Sequence, residues 1–230
     1  MIELYTWPTP NGHKVHIMLE ETGLEYEVHP IDITAGDQFS EDFLKFSPNN
    51  KMPAIIDRQG PEKHPLPLFE SGAILLYLAE KTGYFLPQDP TGRYRTIQWL
   101  MWQMGGLGPM LGQAHHFRKY APEHIHYAYD RYTNEAKRLY GVMERRLSEA
   151  PYLAGEHYTI ADIASFPWTR SHENQGVDLN DYPNVKRWYE AIDGRSAVQR
   201  GLAVLADRRK NGFDEKAKDI LFGSAQYQRR

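Results

Sequence analysis

Two short segments set polar and ionisable side chains where main-chain geometry could turn them into a ligand site. Phe69-Glu70-Ser71-Gly72 brings a carboxylate and a hydroxyl to a strand-to-helix junction. A helix N-terminus presents N–H groups without intrahelical acceptors and the positive end of the dipole, which suits a ligand carboxylate. Glu70 beside it could hold a ligand ammonium group, so the pair fits the amino-acid end of a peptide. Taken alone, the same residues suit a plain helix start, with Ser71 as the cap and Glu70 near the dipole. The second segment, Ser47-Pro-Asn-Asn-Lys-Met-Pro53, ends a polar turn with a proline at the head of a strand. A cis Met52–Pro53 bond would turn the Met52 amide and carbonyl outward as a docking edge; a trans turn proline is the commoner form.

Metal chemistry is poorly supported. His13, His16 and Glu20 fall on one side of a helix, and His115-His116 form a pair. Adjacent helical residues point apart, however, and no established ligand spacing completes either set, so no metal site is expected. The chain contains no cysteine. That excludes disulfide staples, thiolate metal ligation and a thiol nucleophile of the protein's own.

The elements that must position these residues come in two styles. Residues 2–5 read as a strand, and Trp7-Pro8-Thr9-Pro10-Asn11-Gly12 as a turn punctuated by two prolines, Asn and Gly. Val15, Met18, Leu19 and Thr22 follow helical spacing to a stop at Gly23. Further strands are expected over 26–33, 53–57 and 66–69, with a short helix over 39–46 and a helix over 71–82 capped by Ser71. The order βαβ, helix, ββα describes an α/β unit around one sheet. Residues 83–92 form the clearest linker, after which helical patterns take over. Ile97, Leu100, Met101 and Met104 make an apolar stripe that Gly105-Gly-Leu-Gly-Pro109 should bend or interrupt. A long helix over 123–149 carries Tyr132, Ala136, Leu139, Met143 and Leu147 on one stripe. Thr159-Ile-Ala-Asp162 is a capping-box variant expected to serve folding, and Tyr182-Pro183 opens a helix with Val185, Trp188, Tyr189 and Ile192. From Asp207 a polar, charged tail follows, in which Ile220-Leu221-Phe222 could dock.

At 230 residues the chain holds one large or two small domains. Its 41% hydrophobic and 13% aromatic content supports a core rich in rings, and a net charge of −3 argues against a basic nucleic-acid binder. No run of about 18 apolar residues marks a membrane span, and the first residues lack the regions of a signal peptide, so the cytoplasm is the expected compartment.

Taken together and in this order, the pieces resemble the cytosolic glutathione transferase family: a thioredoxin-like α/β N-terminal domain followed by an all-α C-terminal domain. Pro8-Thr-Pro-Asn-Gly12, Ser47-Pro-Asn-Asn-Lys51, Phe69-Glu-Ser-Gly-Ala-Ile74 and Gly105-Gly-Leu-Gly-Pro-Met-Leu-Gly-Gln-Ala-His-His116 look like its nu class. That class comprises bacterial relatives of the yeast nitrogen-regulating prion protein, several of them glutathione-dependent disulfide-bond oxidoreductases. The resemblance spans residues 1–206. It implies a glutathione-binding domain over 1–83 and a helical domain over 92–206, leaving a C-terminal tail over 207–230.

The resemblance also implies roles. Met52, before a cis Pro53, would pair its backbone with the cysteinyl part of glutathione. Glu70 and Ser71 would hold the γ-glutamyl end, while Lys51 and Gln38 would reach the glycyl carboxylate or the neighbouring peptide. Thr9 and Asn11 would lie near the sulfur. Arg131 would reach a second glutathione, across a dimer, its alternative being a solvated helix surface.

Thiol–disulfide exchange needs an attacking thiolate. With no cysteine, the chain must take it from glutathione. Lowering a thiol pKa by ~2 units takes roughly 2.7 kcal/mol, the order that two charge-assisted hydrogen bonds from Thr9 and Asn11 supply. Tyr5, where other classes place a catalytic tyrosine, is expected to be a packed strand residue, and Asn11 also suits an Asn-Gly turn. The implied protein is a homodimer that reduces small disulfides through bound glutathione. Its alternatives are a transferase or peroxidase acting on electrophiles or organic hydroperoxides, and a non-catalytic glutathione-binding regulatory module. Neither nucleic acid nor membrane is an expected partner.

Overall fold

The computed structural model describes residues 1–209 and 212–228. Its strands join in one four-stranded sheet of order β2-β1-β3-β4. β1 (Ile2–Thr6) runs parallel to β2 (Tyr26–Pro30) and antiparallel to β3 (Ala54–Asp57), which pairs antiparallel with β4 (Leu66–Phe69). A parallel pair needs a crossover, and α1 (Pro10–Thr22) supplies it while burying Val15, Ile17, Met18 and Leu19. Leu4 lies between Val28 and Ile55 in register, and both Leu4 and Ile55 are wholly buried.

Four local differences from the sequence expectation have physical causes. The turn over 7–12 is shorter, because Thr9 caps α1 and Pro10, Asn11 and Gly12 form its first turn. Proline fits there, since the N–H it lacks would have no intrahelical partner. β2 stops at Pro30 rather than 33, because Asp32 folds the chain back: its carbonyl accepts the Ala35 and Gly36 N–H groups and its Oδ1 accepts from Thr34. The helix over 39–46 divides into a 3-10 turn, Asp37–Phe39, and α2 (Glu41–Leu44), whose start is capped by Ser40. α3 (Ser71–Thr82) follows β4 as expected. Ser71 is its first residue rather than its cap; the carbonyl that closes the first turn belongs to Glu70 and accepts from Ile74 N–H.

The chain divides into two compact units, Met1–Ile74 together with the chain from Arg200 onward, and Leu75–Gln199. The second unit is helical: α4 (Pro90–Trp102), α5 (Gly108–Lys119), α6 (His126–Glu149), α7 (Ile160–Thr169) and α8 (Pro183–Asp193). The glycine run does not break the chain between α4 and α5; Gln103–Leu107 is a π-helical segment. Gly105 and Gly106 face open space, whereas Gly108 at the head of α5 is closely packed, and a Cβ on it would stand 2.6 Å from Gln103 Nε2. The buried stripe here is Thr96, Leu100, Gln103 and Leu107, and Met101 is 49% exposed, so the expected stripe through Met101 and Met104 is one position out of step. α6 begins at His126 and buries Ala136, Leu139, Tyr140, Met143 and Leu147.

The capping box on α7 is present, with Thr159 and Asp162 bonding reciprocally. Asp162 does more than cap. It is wholly buried, and its Oδ1 accepts from Leu153 N–H at 2.9 Å and Trp188 Nε1–H at 2.8 Å. Burial holds its pKa above the usual carboxylate range, against the pull of these donors. α9 (Ser196–Ala203) and α10 (Glu215–Phe222) complete the chain. Within the first unit, α10 buries Ala217, and Ile220 lies beside Gly36. Among the described residues, no helix is long and apolar enough to cross a membrane.

Candidate functional site

The turn from β1 into α1 gathers donors around one sulfur atom. Thr9 has extended backbone, and its Oγ1 accepts the Gly12 N–H at 3.2 Å, which caps the helix. With its oxygen so used, the Thr9 hydroxyl directs its proton at Met52 Sδ, 3.8 Å away. The Trp7 N–H points at the same sulfur from 3.1 Å. A thioether is a weak acceptor, so both donors stand ready for a stronger one. Gly12 permits the arrangement: a Cβ there would lie 2.1 Å from the Trp7 carbonyl oxygen. Asn11 is half-buried in the same helical turn.

Met52 reaches this point from the bend just ahead of β3. The Met52–Pro53 bond is cis, and the Met52 side chain packs on the cluster of Ile31, Phe43 and Ala54. Ser47 Oγ donates to the Lys51 carbonyl at 2.7 Å and ties the preceding turn. Lys51 Nζ donates to Gln226 Oε1 at 3.1 Å. Gln38 is buried; its Nε2 donates to the Ile33 carbonyl at 3.2 Å, and its Oε1 has no partner among the described residues.

At the head of α3, Glu70 is exposed and holds a φ of 70°. A non-glycine residue in this left-handed region costs free energy, and such residues concentrate at functional sites. Ser71 is buried, and its Oγ accepts from Lys14 Nζ at 3.3 Å. Lys14 itself is only 1% exposed. Burial pulls its pKa down to about 7, with the Glu70 carboxylate acting in the opposite direction. Nothing in the sequence pattern singled Lys14 out. The signal that could have done so is its place in a helix buried continuously from Gly12 to Leu19.

Tyr5 is a packed strand residue. Its hydroxyl donates to Glu3 Oε2 at 3.1 Å, and its ring stacks on His29 at 4.7 Å and against Phe46 at 4.6 Å. Burial and the Glu3 carboxylate push its pKa up, the reverse of what an activating tyrosine needs. His16 is buried and shares a 2.8 Å hydrogen bond with Thr6 Oγ1, and burial pulls its pKa down to about 4. Glu20 accepts from Tyr26 and Arg200, each at 2.7 Å. Among the described residues, no three His, Asp or Glu side chains are gathered for a metal. In the second unit, Arg131 is exposed on α6 and lines a cleft of about 680 Å³ with Met110, Tyr127, Asp130, Glu135 and Arg138.

Known proteins match this chain across both units. Residues 1–80 match the family model for the glutathione S-transferase N-terminal domain, and residues 108–195 that for the C-terminal domain. The disulfide-bond oxidoreductase YfcG of Escherichia coli is 53% identical over 214 residues, covering 92% of this chain and 100% of that protein. A glutathione transferase family member from Pseudomonas fluorescens, solved with two glutathione bound, has a TM-score of 0.84 at 51% identity, covering 87% of this chain and 92% of that one. A glutathione transferase from Pseudomonas putida, solved with one glutathione disulfide bound per subunit, has a TM-score of 0.85 at 50% identity, covering 88% of this chain and 91% of that one.

Proposed function

Because the chain belongs to the glutathione S-transferase family, we propose that it is a glutathione-dependent disulfide-bond oxidoreductase of the nu class, reducing small disulfides with the thiolate of bound glutathione. One observation carries this: in a chain without cysteine, the Trp7 N–H and the Thr9 hydroxyl converge on the Met52 thioether, a weak acceptor that a ligand thiolate can outcompete. When bound, glutathione supplies the reducing sulfur: two glutathiones are oxidised to their disulfide while one substrate disulfide is reduced to two thiols.

The chain's own residues bind and orient. The Thr9 hydroxyl and the N-terminal turn of α1, which carries Asn11, favour the thiolate over the thiol. The Met52 backbone, ahead of cis Pro53, pairs with the cysteinyl peptide. Glu70 takes the γ-glutamyl ammonium group, and Ser71 with the start of α3 takes its carboxylate. Lys51 and Gln38 serve the glycyl end, exchanging bonds now made to Gln226 and Ile33. The Arg131 cleft receives a second glutathione, a role favoured by the relative solved with two bound.

Residues 1–83 form the glutathione-binding domain in this scheme and 92–206 the helical one, with 207–230 as an appended tail. The scheme takes the protein to be a homodimer working in the cytoplasm. The deciding experiment is reduction of 2-hydroxyethyl disulfide by glutathione, coupled to NADPH through glutathione reductase, beside parallel assays with 1-chloro-2,4-dinitrobenzene and cumene hydroperoxide. Disulfide reduction is expected to be the fastest of the three. A disulfide rate no greater than the uncatalysed one overturns the assignment.

A further inference from the structure

We propose that Lys14 is a positioning residue for the γ-glutamyl carboxylate of glutathione, acting through Ser71, whose hydroxyl proton it turns outward toward the ligand. This role presupposes that Glu70 and Ser71 hold glutathione, and it adds a residue that binding at those two positions does not by itself require.

The geometry sets the polarity of the bond. An ammonium group carries three donors and no acceptor, whereas a serine hydroxyl carries one proton and two lone pairs. Lys14 Nζ donates to Ser71 Oγ, so in this bond the serine oxygen accepts. Its proton is then directed away from Lys14, and a ligand carboxylate over the first turn of α3 can receive it. A neutral amine could accept instead, and the Ser71 proton would turn inward, leaving the carboxylate without that donor.

Placement strengthens the case. A cation buried to this degree is costly unless it is compensated. Glu70, exposed at the junction of β4 and α3, carries a negative field that opposes its discharge. On α1, the preceding His13 sets its ring edge-on to His16, and His16 is turned to Thr6. With Lys14 losing its charge around neutral pH in the free protein, a carboxylate arriving at Ser71 draws a proton back to the amine. Ligand binding above neutrality is therefore coupled to proton uptake.

The test uses S-methylglutathione, whose blocked sulfur removes the thiol's own titration. Calorimetry of the wild-type protein is run near pH 6 and near pH 8, each in two buffers of different ionisation enthalpy. The expected result is a buffer-dependent heat near pH 8, signifying proton uptake, and none near pH 6, with affinity falling about tenfold between them. Lys14→Met should bind about tenfold more weakly near pH 6 and show no proton uptake. Its KM for glutathione should rise while kcat falls by less than about threefold. Lys14→Arg, which keeps its charge throughout, should bind with a flat pH profile. Wild-type binding without proton uptake, or a folded Lys14→Met with unchanged affinity, overturns the role of Lys14 alone. No wild-type binding at either pH overturns the glutathione site beneath it. Because the proton count comes from the unmodified protein, a variant that fails to fold leaves the test intact.

Discussion

Gln226 accepts a hydrogen bond from Lys51 Nζ at 3.1 Å, and its own Nε2 donates to the Ile220 carbonyl at 2.8 Å. The C-terminal turn beyond α10 is thereby anchored to the loop ahead of Met52, on a cation assigned to the glycyl end of glutathione. Gln226→Ala releases that cation. The KM for glutathione should fall about threefold with little change in stability, since one exposed neutral-acceptor bond contributes about 1 kcal/mol or less. Steady-state kinetics beside urea unfolding checks both halves; an unchanged KM would show that Lys51 does not compete between the two.

Thr9→Ala removes two things at once, the α1 cap and the donor to sulfur. Loss of the cap costs about 1 kcal/mol of stability. Loss of the donor should raise the pKa of the bound thiol and lower kcat near neutral pH by about tenfold or more, with the KM for glutathione changing less. Thr9→Ser keeps the hydroxyl and should restore most of kcat. The ultraviolet absorbance of the bound thiolate, titrated with pH, follows the shift directly.

His16 should make the fold sensitive to acid. Its pKa falls from 6.5 to about 4 on folding, because burial disfavours the imidazolium. The unfolded chain therefore binds more protons between those values, so stability is intact above the unfolded pKa and is lost as pH drops through the window. The contribution has a limiting slope of about 1.4 kcal/mol per pH unit. Urea unfolding of wild type and His16→Gln from neutral to mildly acidic pH should show a shallower acid limb in the variant. Parallel limbs would assign the acid sensitivity elsewhere.

Asp162→Ala strips acceptors from Leu153 N–H, Thr159 N–H and Trp188 Nε1–H inside the buried core. Orphaned buried donors cost about 1–3 kcal/mol each, and the total loss should reach about 3–5 kcal/mol. Chemical denaturation reads it; a loss under about 1 kcal/mol would mean that water or a neighbour replaces the carboxylate.

Much of the scaffold was legible because punctuation and period coincide with physics. Leu66–Phe69 and Ser71–Thr82 lie where strand alternation and helical spacing put them, and Gly23 closes α1 with a φ of 67° because only glycine enters that region freely. The failures were equally physical. Proline suits both a turn and the first residue of a helix, so Pro10 concealed the start of α1. The π segment shifted the phase of the α4 pattern, so a regular period chose Met101 over buried neighbours. Of the residues proposed for the site, Thr9 took its role from the family resemblance, whereas Met52, Glu70 and Ser71 were legible as local motifs. Lys14 and Gln226 were not, because a lysine in a helix reads as surface and a contact across 175 positions leaves no local trace.

The five-residue π segment carries a cost for evolution by insertion and deletion. Each residue of an α-helix advances the side-chain direction by about 100°. Removing Gly105, whose Cβ position is empty of neighbours, would turn α5 by that angle against α4, carrying its buried Leu111 and Ala114 off the core and Met110 off the wall it shares with Arg131. A single codon lost there would thus unsettle the helical core while re-aiming one wall of the Arg131 cleft.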